Sequence, residues 1–132
     1  MKIKKLITWI FVLICLGFFF SYRLNKVPPS LTVDEAAFGY NAALLSETLH
    51  DENGRFLPFF VLSINGQDWR QPVTQYFMAG FFKIFGASKF NARLTSVIVL
   101  LICLVLIYHL TNQVLGRRAA FTAGFVFLTI PI

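Results

Sequence analysis

Cysteine, histidine and acidic side chains are all scarce in this sequence of 132 residues, which holds two, two and six of them respectively. Cys15 and Cys103 each fall inside an apolar run, so they read as packing residues and not as a disulfide or a metal pair. No phosphate-binding glycine loop, nucleophile elbow, HExxH helix or CxxC pair is present. Net charge is +6, yet the basic residues are scattered and several flank apolar runs. No basic stripe or stacking platform accompanies them, so nucleic acid is not an expected partner.

What the chain does have is apolar side chains, 57% of the total, with 16 phenylalanines among them. A soluble domain usually holds ~45–50%. The excess lies in blocks, and membrane lipids are therefore expected partners. The first block, from Leu6 to Phe20, follows Lys2, Lys4 and Lys5 and predicts a span over about residues 4–22. A cleaved signal peptide is the rival reading, but "GFFFSYRLN" lacks small residues at cleavage-site spacing. The second block, Leu94 to Leu110, predicts a span over about residues 90–112. "TNQVLGRR" then reads as a short cytoplasmic turn, with Gly116 suited to a helix C-cap. A third apolar block begins at Ala119. Its 14 residues up to Ile132 would rise only ~21 Å as a helix, short of a crossing.

The expected fold class is thus all-α: a multi-pass integral membrane protein fragment with two full transmembrane helices, a third truncated one and a large external loop carrying interfacial helices. The basic flanks place the N-terminus in the cytoplasm and residues 23–89 outside the plasma or inner membrane.

All six acidic residues (Asp34, Glu35, Glu47, Asp51, Glu52 and Asp68) lie in that loop. Within it "TVDE" has capping-box spacing, with Thr32 as N-cap and Glu35 three positions on, opening a helix to about Leu49. At ~100° per residue, Asp34, Phe38, Asn41 and Leu45 share one side of that helix. Glu35, Gly39, Ala42 and Ser46 share another, small enough for a helix or ligand to approach closely. The adjacent acids have two readings. A cap and dipole explain Glu35 and contribute ~0.3–1 kcal/mol through Asp34. Alternatively, a carboxylate at a helix start can accept a proton from a hydroxyl or hold a divalent cation.

"NGRFLPFFVLSING" reads as an extended stretch between two Asn-Gly turns, where Pro58 argues against a central strand. "QPVTQYFMAGFFKIFG" places Pro72 at helix N1 and Gly86 just past the end. Aromatic residues cover most sides of this helix, with polar relief at Thr74, Gln75 and Lys83, so it is expected in the headgroup zone. Arg93 and Arg70 are each able to meet a lipid phosphate bidentately, or to act as snorkelling anchors. His50 beside Asp51 and Glu52 reads as part of a turn, and His109 as an interfacial residue.

The ordered set "PPSLTVDEAAFGYNA", "NGRFLPFF", "QPVTQYFMAGFFKIFGASKFNARL", span, "LGRRAAFTAGFVFLTIP" resembles the start of GT-C glycosyltransferases of the protein mannosyltransferase and aminoarabinose transferase group. The resemblance implies an integral membrane enzyme that takes a sugar from a polyprenyl-phosphate-linked donor on the extracytoplasmic side. It transfers that sugar to an acceptor glycan, lipid or protein, with inversion. Asp34 would be the catalytic base or a metal-bound residue. Glu35 would position it or share a divalent cation, the one cofactor the resemblance suggests. Arg93 and Arg70 would face the lipid phosphate. Relatives carry more spans and further acidic loop positions, so this chain is expected to be an incomplete fragment, inactive alone. The alternative is a non-catalytic membrane module or degenerate remnant.

Overall fold

A computed structural model describes residues 2–64 and 66–130. Asn65 of the second Asn-Gly turn and residues 131–132 of the third apolar block lie outside the described residues. The chain forms two compact units, one of them Tyr22–Thr95 and the other made of the residues up to Ser21 and from Ser96 onwards.

In the unit Tyr22–Thr95, helix α2 (Val33–Thr48) is followed by a short antiparallel hairpin, β1 (Val61–Ser63) and β2 (Asp68–Arg70). Helix α3 (Pro72–Phe85) comes next, and then the first turns of α4 (Lys89–Leu115). The capping box at Thr32 forms as the sequence predicts, and Leu49 closes α2 in the left-handed region. Pro72 opens α3 and Gly86 ends it at φ 84, a value that favours glycine.

The hairpin departs from the all-α expectation. Val61 pairs with Arg70 and Ser63 with Asp68, and both Val61 and Ser63 are buried. Three residues a side are too few for a legible alternation, and Pro58 stands before the strand and not within it. Helix α3 also has more direction than its aromatic content suggests. Gln75, Met78, Ala79 and Phe82, spaced i, i+3, i+4, i+7, form its buried stripe. Met78, Ala79 and Phe82 pack with Ala42, Leu45, Val61 and Ala92 as the core of the unit. Leu45, Met78 and Phe82 each contribute roughly 1.5–3 kcal/mol by leaving water. On the small side of α2 a Cβ on Gly39 would meet none of the described residues within 4 Å, whereas Ala42 of the same side is fully buried in the core. The buried face is the one carrying Asn41 and Leu45 together with Ala42.

The second unit contains α1 (Lys2–Ser21), the remainder of α4 and α5 (Arg117–Thr129). Among the described residues, α4 is the one helix long and apolar enough to cross a membrane, while the apolar part of α1 is the shorter Ile7–Ser21. Only 17% of the most apolar stretch of α4 is buried, which suits lipid contact better than the core of a soluble domain. Phe11, Phe18, Leu106 and Phe125 are likewise exposed. Two glycines let side chains approach closely. A Cβ on Gly17 would lie 3.5 Å from Leu101 Cδ1, and one on Gly124 would lie 3.4 Å from Leu104 Cδ1. Helix α4 continues to Leu115, so "TNQVL" extends the helix and Gly116, at φ 83, makes the connection alone.

Candidate active site

Residues 34 and 35 are adjacent in the first turn of α2, but ~100° of helical rotation sends their side chains to different partners. Both oxygens of Glu35 are committed. Oε2 accepts from the Thr32 backbone N–H at 3.0 Å, while Thr32 Oγ1 accepts from Glu35 N–H at 3.2 Å. Arg93 then approaches side-on, with Nε donating to Oε1 at 2.9 Å and Nη2 donating to Oε2 at 3.1 Å. Its guanidinium also donates from Nη1 to the carbonyls of Leu24 (2.7 Å) and Pro28 (2.9 Å), and from Nη2 to Ser30 (3.0 Å). A guanidinium has five N–H groups, and here each has an acceptor.

Arg93 is 6% exposed. As arranged it offers no donor to a lipid phosphate. It ties the segment entering α2 to the start of α4 instead. The Arg93 guanidinium holds the Glu35 carboxyl below the ordinary glutamate range, against an upward push from burial and with help from Thr32.

Asp34 is held differently. Oδ1 accepts from Arg70 Nη2 at 2.8 Å, and the side chain is 75% exposed. Its other oxygen has no protein partner among the described residues. Arg70 comes from the end of β2, where the Val61 pairing fixes its backbone. It also meets Asp68 at 2.7 Å and lies over the Phe38 ring at 4.7 Å. The guanidinium is thus sandwiched between two carboxylates and an aromatic face. One guanidinium against two carboxylates leaves the cluster with one negative charge.

Beside it, two buried polar atoms have no partner among the described residues, Arg70 Nε and Gln75 Oε1. Gln75 is fully buried and donates from Nε2 to the Phe38 carbonyl at 2.9 Å. Phe38, Asp68 and Gln75 belong to this site, although the sequence reading gave none of them a role. The signal for Gln75 was its polarity within an apolar helix. Asp68 and Phe38 carried none, because the hairpin that assembles them was not foreseen.

The carboxylates do not fit a divalent cation as arranged. Glu35 is saturated by Arg93 and Thr32, and Asp34 keeps a single uncommitted oxygen where such an ion wants several. Among the described residues no three His, Cys, Asp or Glu side chains come together as a metal site would require. His50, Asp51 and Glu52 also part company. His50 Nδ1 lies 2.6 Å from the Thr48 carbonyl oxygen, and the Glu52 carboxylate accepts from Asn41 Nδ2 at 3.0 Å.

Asp51 organises the loop. Its Oδ1 accepts from the Asn53 and Arg55 backbone N–H groups at 3.0 and 2.9 Å, and its Oδ2 from Arg55 Nε and Nη2 at 2.8 and 2.6 Å. Burial pushes the Asp51 carboxyl upward, but the Arg55 and Asn53 donors outweigh it and leave it below the ordinary aspartate range.

Residues 70–132 match the family described as dolichyl-phosphate-mannose-protein mannosyltransferase. The likeness read from the motifs holds over this segment, a little under half of the chain. No curated protein and no solved structure matches. At the coarse level the mannosyltransferase likeness indicates a glycosyltransferase-like membrane module. Arg70 and Arg93 lie within the matched segment, and Asp34 and Glu35 lie before it.

Proposed function

We propose that this chain contributes to a membrane glycosyltransferase that moves a sugar from a polyprenyl-phosphate-linked donor to an acceptor hydroxyl on the extracytoplasmic face, with inversion. The reading is carried by the exposed, arginine-oriented carboxylate of Asp34, in a chain whose residues 70–132 resemble mannosyltransferases.

In the reaction, Asp34 accepts the acceptor's hydroxyl proton as that oxygen bonds to the anomeric carbon. The bond from that carbon to the phosphate oxygen breaks, and its electron pair leaves with the lipid phosphate. Protonation cancels the charge on Asp34 and weakens its hold on Arg70. The guanidinium then answers to Asp68 alone, and its charge becomes available to the departing phosphate. Proton uptake and leaving-group stabilisation are in this way coupled through one hydrogen bond. Glu35 acts as a positioning residue: with Arg93 it fixes the turn that presents Asp34. No step runs through a metal. One exposed carboxylate and one cation make up only part of a site, so the chain alone is expected to be inactive.

The test uses membranes from cells expressing the full reading frame that carries this chain. They are supplied with either a polyprenyl-phosphate-linked sugar or a nucleotide sugar, and the product's anomeric configuration is read by NMR. Transfer from the lipid-linked donor with inversion is expected. Retention, or transfer only from the nucleotide sugar, overturns the reading. No transfer from either donor favours a non-catalytic membrane module.

A further inference from the structure

Within the unit built from α1, α5 and most of α4 there is a cavity of about 390 Å³, lined by Trp9, Val12, Tyr108, Asn112, Arg117 and Phe121 among others. Three of those residues form an aromatic cluster. Trp9 and Tyr108 have ring centroids 4.6 Å apart, Tyr108 and Phe121 meet edge-on at 5.3 Å, and Trp9 stacks parallel to Phe121 at 6.2 Å. Arg117 lies over the Phe121 ring at 5.4 Å and has no ion-pair partner among the described residues. It opens α5 directly after Gly116, which supplies no side-chain cap. All six acids of the chain lie between residues 34 and 68, none of them in this unit. Lys2, Lys4, Lys5 and Arg118 add to the positive charge of its sequence.

We propose that this cavity binds one anionic phospholipid. Arg117 and Asn112 hold the phosphate, and the glycerol and upper acyl chains lie against the Trp9–Tyr108–Phe121 cluster. The volume falls in the range of sites that enclose a small ligand group. Free phosphate shares the anionic chemistry but has no use for three aromatic walls. A zwitterionic headgroup brings an ammonium, and the face of Phe121 that would receive it is already covered by a cation. With no carboxylate in the unit to pair with that ammonium, the anionic lipid is the better complement. The proposal rests on the reading of these helices as membrane-embedded and is independent of the sugar-transfer chemistry.

Trp9 lies in the cavity and can report its occupancy. In a Trp69→Phe background Trp9 is the single tryptophan, because the chain holds two. The full chain is reconstituted in vesicles of phosphatidylcholine and phosphatidylglycerol, with brominated acyl chains placed on one lipid or the other. Brominated phosphatidylglycerol should occupy the cavity about fivefold more readily than its mole fraction predicts, the factor for one basic residue beside an anionic lipid. Arg117→Gln should abolish the preference and Arg117→Lys should keep most of it. Arg118→Gln removes the same charge from a residue that does not line the cavity, and should leave the preference standing. Equal quenching by the two brominated lipids overturns the proposal, and so does an equal loss in the Arg118→Gln variant. Quenching by neither lipid overturns the membrane reading and the site with it. Millimolar inorganic phosphate added to pure phosphatidylcholine vesicles should leave Trp9 emission unchanged. A change matching that of the anionic lipid would make this a free-phosphate site and overturn the lipid assignment.

Discussion

Arg93→Ala would remove five hydrogen-bond donors from one buried position. The acceptors left behind are the Glu35 carboxylate and the carbonyls of Leu24, Pro28 and Ser30. An orphaned buried acceptor costs ~1–3 kcal/mol. The Glu35 side chain is 32% exposed and regains water, so its share is discounted. Breaking a buried ion pair from one side typically costs ~3–5 kcal/mol. We therefore expect about 3 kcal/mol, concentrated where the chain enters α2.

Hydrogen exchange on the full chain in lipid nanodiscs reads this locally. The amides of Thr32, Glu35 and Ala36 are protected by the cap that Arg93 supports. If they exchange through opening of this clamp, a loss of ~3 kcal/mol speeds them about 100-fold. Arg93→Lys keeps the charge but brings three donors without the planar fork, so it should fall between wild type and alanine. Exchange over residues 32–36 that changes by less than about threefold in Arg93→Ala would refute the clamp.

Other expectations follow from the same contacts. Glu35 and Asp51 both have lowered folded-state pKa values, so their stabilisation is complete above the ordinary carboxylate range. It is lost as pH falls through the lowered values, below about pH 4. Thermal unfolding between pH 3 and 7 should show that decline and Glu35→Gln should blunt it, whereas a flat profile contradicts the sign. Asp51→Ala removes the acceptor of the Asn53 and Arg55 backbone N–H groups, while the Arg55 side chain, 35% exposed, regains water; it should cost ~2–3 kcal/mol by denaturant unfolding, and exposed Glu47→Ala, as a control, should stay within ~0.5 kcal/mol. Gln75→Met deletes a buried acceptor that has no partner among the described residues, but also the Nε2–H donated to the Phe38 carbonyl at 2.9 Å, so the two effects should largely offset and leave stability within ~1 kcal/mol. A loss above ~2 kcal/mol would mean that something in the folded protein, such as an ordered water, holds Oε1.

Local signals were legible in the sequence and long-range ones were not. The Thr32 capping box, the Pro72 start and the Gly86 stop each depend on residues within a few positions, and each forms as read. The Arg93 clamp joins residues 58 to 69 positions apart, which no periodicity can announce. Asp34 and Arg70 were both singled out, but their pairing depends on a three-residue hairpin too short to recognise. Arg93 was matched to lipid phosphate because it opens a span. Its guanidinium is buried and bonded to Glu35 and to the carbonyls of residues 24, 28 and 30, contacts that its place in the sequence does not announce. Asp51 passed for a turn residue because a carboxylate in "HDENG" looks solvated until Arg55 and the strand at Val61 fold over it.

The central claim is that Asp34 is the base, and Asp34→Asn tests it most directly. Asparagine keeps an oxygen for Arg70 and removes only the proton acceptor. Asp34 is the solvated half of its pair with the buried Arg70, which keeps Asp68, so the loss should stay near ~1 kcal/mol and folding should be unaffected. With the full reading frame in membranes and a polyprenyl-phosphate-linked sugar as donor, the single-turnover transfer rate should fall by ~100-fold or more at unchanged melting temperature. A variant that keeps more than about half the wild-type rate, where base catalysis contributes at least ~100-fold, would contradict the claim and leave Asp34 as a helix-start residue only.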